Sequence, residues 1–220
     1  MCIIASLTLK TSYDNRIRKE HIQQVFDLLQ VDFRINEPLM KSLQLSKEDT
    51  AEALLDFIKS SYNSGYSFVA IDAAQKKVIG TRLTTVKTLD MRGKKYPQYK
   101  SRIRFLFHLV NDIEQDLFAD FSGAKRILKF ELVSVHSNYT RCGIAESMID
   151  LALAKAKADG LDYATVFTSS HKTANLFKNK KGFKSLRSVN VKDYEIDGKR
   201  HFERIDPKDP VLTLMYKALK

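Results

Sequence analysis

Cysteine is almost absent from this chain: its 220 residues include two, Cys2 and Cys142. Two cysteines build no disulfide framework, so the fold must rest on an ordinary apolar core. Long apolar runs are missing as well. No stretch reaches the roughly 18 residues a membrane-crossing helix needs, so nothing is expected to span a membrane. There is no internal repeat and no low-complexity segment. No His/Cys cluster has metal-ligand spacing, so no metal is expected. The usual glycine fingerprints are missing too: no Gly-Lys-Ser/Thr Walker ending, no GxGxxG and no GxSxG elbow. Acidic residues are in deficit, 26 against 37 Lys plus Arg, a formal charge of +11. Such an excess favours an anionic partner, whether nucleic acid, a membrane surface or a phosphate-bearing cosubstrate.

What is present is ordinary globular composition, 44% hydrophobic and 29% charged. One domain spanning residues 1–220 is expected from this length. The opening MCIIASLTL is apolar, but no cation precedes it and Ser6 and Thr8 interrupt it. It reads as a strand over residues 3–9 rather than a signal peptide, and a cytoplasmic location follows.

Ile22, Val25, Phe26, Leu29 and Phe33 follow helical spacing, predicting a helix over 18–33 that Pro38 breaks. A second helix is predicted over 47–61, with Ser46 as N-cap and Asp49 three residues on. Residues 66–71 and 78–86 read as a hairpin around DAAQKK, 92–101 as a basic loop and 102–121 as a helix. A buried strand over 127–135 is followed by the polar turn HSNYTRCG. Next come a helix ending at Gly160, a strand over 163–168, and a helix over 171–181 ended by Gly182. Val189 and Val191 belong to a late strand, and VLTLMY at 211–216 closes the sheet. Strands alternating with helices predict an α/β fold with a βαβ core.

Three segments can carry chemistry. In 133–147 (VSVHSNYTRCGIAES) a strand stops, a loop holds Gly143, and a helix starts at once. The first N–H groups of a helix lack intrahelical partners and the macrodipole is positive there, so the place suits phosphate; an ordinary βα turn with a glycine has the same appearance. Arg141 adds a fork of donors. In 168–183 (TSSHKTANLFKNKKGF), Ser169 and Thr173 share a helix face if the helix has begun, and Ser169 or Ser170 is its N-cap. In 33–39 (FRINEPL), Glu37 is a turn residue or a partly buried carboxyl with a raised pKa, as a general base needs.

Taken in order, EPL, RCGIA, SSH-K-T-A…GF and the late LMYKAL resemble the insect- and nematode-type arylalkylamine N-acetyltransferases of the GNAT N-acetyltransferase superfamily. The resemblance covers about residues 20–218. It implies the GNAT fold: a mixed central sheet of about seven strands flanked by helices, splayed into a V around the acetyl-CoA loop. It also implies an acyltransferase. The superfamily loop, Gln/Arg-x-x-Gly-x-Gly/Ala, falls on Thr140, Arg141, Cys142, Gly143, Ile144 and Ala145. Thr140 departs from the usual Gln or Arg, with Arg141 beside it. The amides of 141–145 would receive the pyrophosphate of CoA, and Val133, Ser134 and Val135 would pair with its pantetheine arm. The resemblance gives Glu37 the role of general base, with Ser169 and Thr173 assisting. Between Thr173 and Gly182 the chain carries one residue more than that pattern.

The expected function is therefore direct acetyl transfer from acetyl-CoA to a small primary amine, such as dopamine, tyramine, octopamine or serotonin. A same-fold alternative is a polyamine, an amino acid or a protein lysine as acceptor. From other classes stand a nucleic-acid-binding module, suggested by RGKK and KNKK but lacking any recognised motif, and a non-catalytic acetyl-CoA-binding protein. The expected partners are the amine and acetyl-CoA, with no nucleic acid and no membrane, in a monomer or a dimer.

Overall fold

The computed structural model describes residues 16–220. The strand expected over 3–9, and Cys2 with it, lie outside the described residues.

The first helical stretch is less regular than its spacing predicts. A 3-10 turn (Lys19–His21) leads into α1 (Ile22–Leu28), a wider π turn follows at Leu29–Phe33, and α2 (Arg34–Asn36) completes it. Val25, Leu28 and Leu29 are buried, as an apolar stripe requires. Pro38 does more than break this helix. Glu37 takes extended backbone angles (φ −70°, ψ 123°) and Pro38 opens α3 (Pro38–Ser42). Proline fits a first helical position because its missing N–H would have no partner there. In α4 (Lys47–Tyr62) the expected cap is present: Ser46 Oγ accepts from the Asp49 amide, and the Asp49 carboxylate accepts from the Ser46 amide.

The hairpin comprises β1 (Phe68–Asp72) and β2 (Lys77–Thr88), and 92–101 form the expected loop. The helix expected over 102–121 is two helices, α5 (Arg104–Glu114) and α6 (Leu117–Asp120). Gln115 breaks it at a positive φ of 47°. Asp116 then caps the second piece by accepting from the amides of Phe118 and Ala119. The core βαβ unit follows: β3 (Arg126–Val135), α7 (Ile144–Ala158) and β4 (Tyr163–Thr168). After it, α8 (His171–Asn175) continues into a π turn at Leu176–Lys180. A π turn accommodates one extra residue, which accounts for the longer spacing between Thr173 and Gly182. The chain ends through β5 (Lys184–Asn190), the ribbon β6 (Glu195–Ile196) and β7 (Lys199–Arg200), and β8 (Val211–Ala218). Val191 falls in the turn after β5 rather than in a strand.

The main sheet has six strands in the order β1-β2-β3-β4-β8-β5. Thus β8 lies inside the sheet, not at its edge. Only β3 and β4 run parallel among the described residues. Their pairing ends at Phe130↔Val166, yet β3 continues along β2 to Val135 and β4 continues along β8 to Thr168. The two strands therefore part, and a V-shaped gap opens in the middle of the sheet. A bulge at Glu131 marks the parting: Leu83 pairs with Leu132 and Thr84 with Phe130, leaving Glu131 as the extra residue. Successive strand residues point to opposite faces, and Ile127 and Leu128 accordingly enter different apolar clusters. One cluster gathers α1, α4 and α5; the other gathers α7 with Phe177 and Phe183.

Candidate active site

The gap between β3 and β4 opens into a cavity of about 270 Å³ whose lining includes Glu37, Val133, Ser134, Val135, Ser169 and Thr173. These six come from three separate stretches of sequence, and the fold brings them to one place.

Glu37 reaches it because the chain reverses between α2 and α3. Its amide donates to the Phe33 carbonyl (2.8 Å) and its Oε2 accepts from the Met40 amide (2.6 Å). Burial raises its pKa. Hydrogen bonds from the Ser169 hydroxyl and the Met40 and Leu39 amides oppose the rise, while the Asp209 charge adds to it. The result is a carboxyl held above its ordinary value beside a cavity.

Ser169 precedes α8 rather than lying on it. Ser170 is the N-cap: its Oγ accepts from the Thr173 amide (3.1 Å) and donates to Thr173 Oγ1 (2.9 Å). Ser169 and Thr173 therefore do not share a helical face, although both line the cavity. His171 Nδ1 and Asp209 Oδ1 stand 2.7 Å apart next to them.

Just past β3, the His136 amide donates to the Ile79 carbonyl of β2 (2.8 Å). Backbone groups alternate along a strand, so Ser134 also faces β2, whereas Val133 and Val135 turn their N–H and C=O groups to the open edge. That edge offers backbone pairing to an extended ligand.

The loop residues Thr140–Ala145 do not line the cavity; β3 leads into them from it. Gly143 is the N-cap of α7 at φ 74°, in the left-handed region that suits glycine. A Cβ placed there would meet nothing within 4 Å, so the approach to the helix N-terminus is open. Arg141 also has a positive φ, 61°. The Ile144 side chain is buried in the core, which leaves only its amide available. Thr140 Oγ1 donates to the Ser137 carbonyl (3.1 Å), and half-buried Cys142 lies against the Thr140 carbonyl (3.5 Å).

Four features escaped the sequence reading. Gly80 of β2 lies beneath the start of α7; a Cβ there would come within 3.1 Å of Ile144 Cγ2. Asp32, buried in the π turn, accepts from the Ser137 amide (3.1 Å), tying the Glu37 segment to the loop after β3. Glu131 projects from the bulge into the cavity lining, accepting from Thr85 Oγ1 (2.6 Å) and Tyr96 Oη (2.5 Å). Arg82, only 1% exposed, reaches the cavity wall. An arginine inside the apolar run VIGTRLTTV was the available signal for the last.

Behind Glu131, buried Glu114 holds both Lys87 and Lys129. Burial would raise its pKa, but the two ammonium groups bring it below the ordinary value. Tyr96, Phe57 and Phe107 form an aromatic wall, with centroids 5.2–5.9 Å apart. Among the described residues no helix is long and apolar enough to cross a membrane.

No protein-family model matches the sequence. No curated protein matches it either. Solved structures do match. Arylalkylamine N-acetyltransferase 2 from Aedes aegypti superposes with a TM-score of 0.78 at 19% identity, over 93% of this chain and 97% of that one. This is the GNAT fold. The polyamine N-acetyltransferase of Drosophila melanogaster, an enzyme that forms N-acetylagmatine, shares it at TM-score 0.76 and 15% identity, over 93% and 98% of the two chains. A more distant GNAT structure, the NatC complex bound to a Gag peptide and CoA, gives 0.51 at 14% identity, over 92% and 93%. The V-shaped gap and six-stranded mixed sheet match the fold expected from the sequence.

Proposed function

We propose that this chain is an acetyl-CoA-dependent N-acetyltransferase for small primary amines, with arylalkylamines as the preferred class. The observation that carries the reading is the meeting, in one cavity, of a carboxyl with a raised pKa and an unpaired strand edge. The chain suits the coenzyme: the open edge of Val133 and Val135 matches the amide-bearing pantetheine arm, and the clear approach at Gly143 leaves room for a diphosphate on the α7 amides.

An alkyl ammonium of pKa near 10 is not nucleophilic until it loses a proton. Glu37, directly or through water, takes that proton. The nitrogen then attacks the acetyl carbonyl, and a β3 amide facing the gap supports the oxyanion, an interaction worth roughly 3–4 kcal/mol where such donors have been removed. Ser169 keeps the Glu37 carboxylate oriented. The wall of Phe57, Tyr96 and Phe107 offers flat apolar surface to an aryl ring. Purified protein given acetyl-CoA and a panel of amines should release CoA with tyramine or dopamine; no release with any amine, together with no CoA binding by calorimetry, refutes the reading.

A second reading rests on Glu131. A carboxylate in the cavity lining whose hydrogen-bonding partners are hydroxyls would suit an acceptor carrying a second positive charge, such as a polyamine or agmatine. The ratio of kcat/KM for tyramine and spermidine separates the two.

A further inference from the structure

Arg82 stands apart from the other buried cations. Lys129 and Lys87 share Glu114, and Lys181 meets Glu146 and Asp150. Arg82 has no ion pair among the described residues, and its Nε and Nη2 have no hydrogen-bond acceptor. Its guanidinium lies 4.0 Å from the Phe130 ring centroid and 5.5 Å from that of Phe177, so two rings fix its position. The nearest charge acting on it is Glu131, whose oxygens already accept from Thr85 and Tyr96.

Its place in the fold puts it on the donor side of the cleft. Arg82 is directly opposite Val133 in the β2–β3 register, so the two side chains share a face. Phe177 follows Thr173 by four residues, about one helical turn. The cavity is lined by Arg82, Val133, Val166 and Thr173 together. Ser169 donates to Glu37, and Thr173 Oγ1 accepts from Ser170, which leaves the Thr173 O–H as a hydroxyl donor there. A negative charge arising on this side would meet aromatic and aliphatic carbon, that hydroxyl and one cation, the cation alone carrying a full charge.

We propose that Arg82 stabilises the thiolate that leaves when the thioester is cleaved. The inference rests on the reading of the cleft as an acyl-CoA site. As the C–N bond forms and the C–S bond breaks, the electron pair of the latter goes to sulfur. The first proton of the ammonium is on Glu37, the second leaves the nitrogen to water as the amide forms, and the thiolate takes its own from water on release. A guanidinium held between two rings provides a fixed positive charge for the sulfur without having to give up a proton.

The thiol of bound CoA tests this without turnover. Thiolate absorbs in the ultraviolet, so CoA bound to the enzyme is titrated against a blank of enzyme with desulfo-CoA. A free thiol ionises near pH 8.5. In the wild type the bound thiol should ionise at least about one pH unit lower, a tenfold effect. Arg82→Met should return it to the free value or above, lower kcat about tenfold or more, and leave KM for acetyl-CoA within about threefold. Arg82→Lys should keep part of the shift, which guards against a Met variant that fails to fold. A wild-type bound thiol that titrates like free CoA overturns the inference alone. So does a preference for succinyl-CoA over acetyl-CoA that Arg82→Met abolishes, since the cation would then serve a carboxylate on the acyl chain. No binding of CoA at all overturns the acyl-CoA reading and this inference with it.

Discussion

On the acceptor side of the cleft, Glu114 sits between Lys87 and Lys129, and Glu131 accepts from Thr85 and Tyr96. Across β3, Arg82 has no acceptor for two of its nitrogens among the described residues. Buried charge costs several kcal/mol unless it is paired and hydrogen-bonded. The cluster around Glu114 is complete without a ligand and can be read as architecture. On the proposed function, the unpaired side is completed by what enters the gap. On that same proposal, the contrast separates charges that hold the cleft in shape from charges that act on its contents, and Glu37 would belong with the second kind: its carboxyl lies at the cavity under a raised pKa instead of in an ion pair.

The largest effect expected is at Glu37. Glu37→Gln keeps the shape and removes the base, and should lower kcat by about 10²–10⁴ with unchanged CoA affinity by calorimetry. Loss of CoA binding in that variant would move Glu37 to the architectural side. Next is Glu114→Gln, which turns the paired side into an unpaired one by leaving Lys129 buried without its carboxylate. Chemical denaturation should show a loss of about 3–5 kcal/mol; a loss under about 1 kcal/mol would mean that the pairing does not hold the wall.

Away from the cleft, Asp162 supplies a third point of comparison. Burial pushes its pKa up, but Lys220 and the amides of Lys125 and Arg126 outweigh that and take it down to about 2. A depressed folded pKa gives stability that is present above the unfolded value near 3.8 and is lost as pH falls toward 2. Acid unfolding should show roughly 2 kcal/mol of this kind, absent in Asp162→Asn. The smallest effect concerns the loop before α7. Gly143→Ala places a Cβ at φ 74° and should cost about 1–2 kcal/mol in stability or CoA affinity. An unchanged Kd and thermal midpoint would show that the left-handed turn is dispensable.

Much of this arrangement is legible in the sequence, and the limits have physical causes. Strand β4 lies where its β-branched and aromatic run puts it, and the Ser46–Asp49 box starts α4 as its spacing requires. Glu37, Ser169 and Thr173 could be singled out because short polar motifs at element ends stand out from apolar periodicity, and the structure gathers them at one cavity. The features missed depend on strand register or on irregular helical turns. The bulge at Glu131 changes which face each later β3 residue occupies, and no local composition announces it. Gln115 interrupts a helix that its neighbours favour on both sides, because Asp116 supplies a cap. The π turn at Leu176–Lys180 is visible in sequence only as one residue too many. Arg82 is seen as buried only once β2, β3 and α8 are packed together.

The central claim is that Glu37 deprotonates an amine beside an acyl-CoA held in the gap. The most direct measurement is the pH dependence of kcat/KM for tyramine with acetyl-CoA, in the wild type and in Glu37→Gln. The wild type should lose activity on the acid side with a midpoint above the ordinary carboxylate range near 4.3, as the raised Glu37 pKa requires, and Glu37→Gln should lack that limb. An acid limb of the same midpoint and amplitude in both proteins would contradict the account.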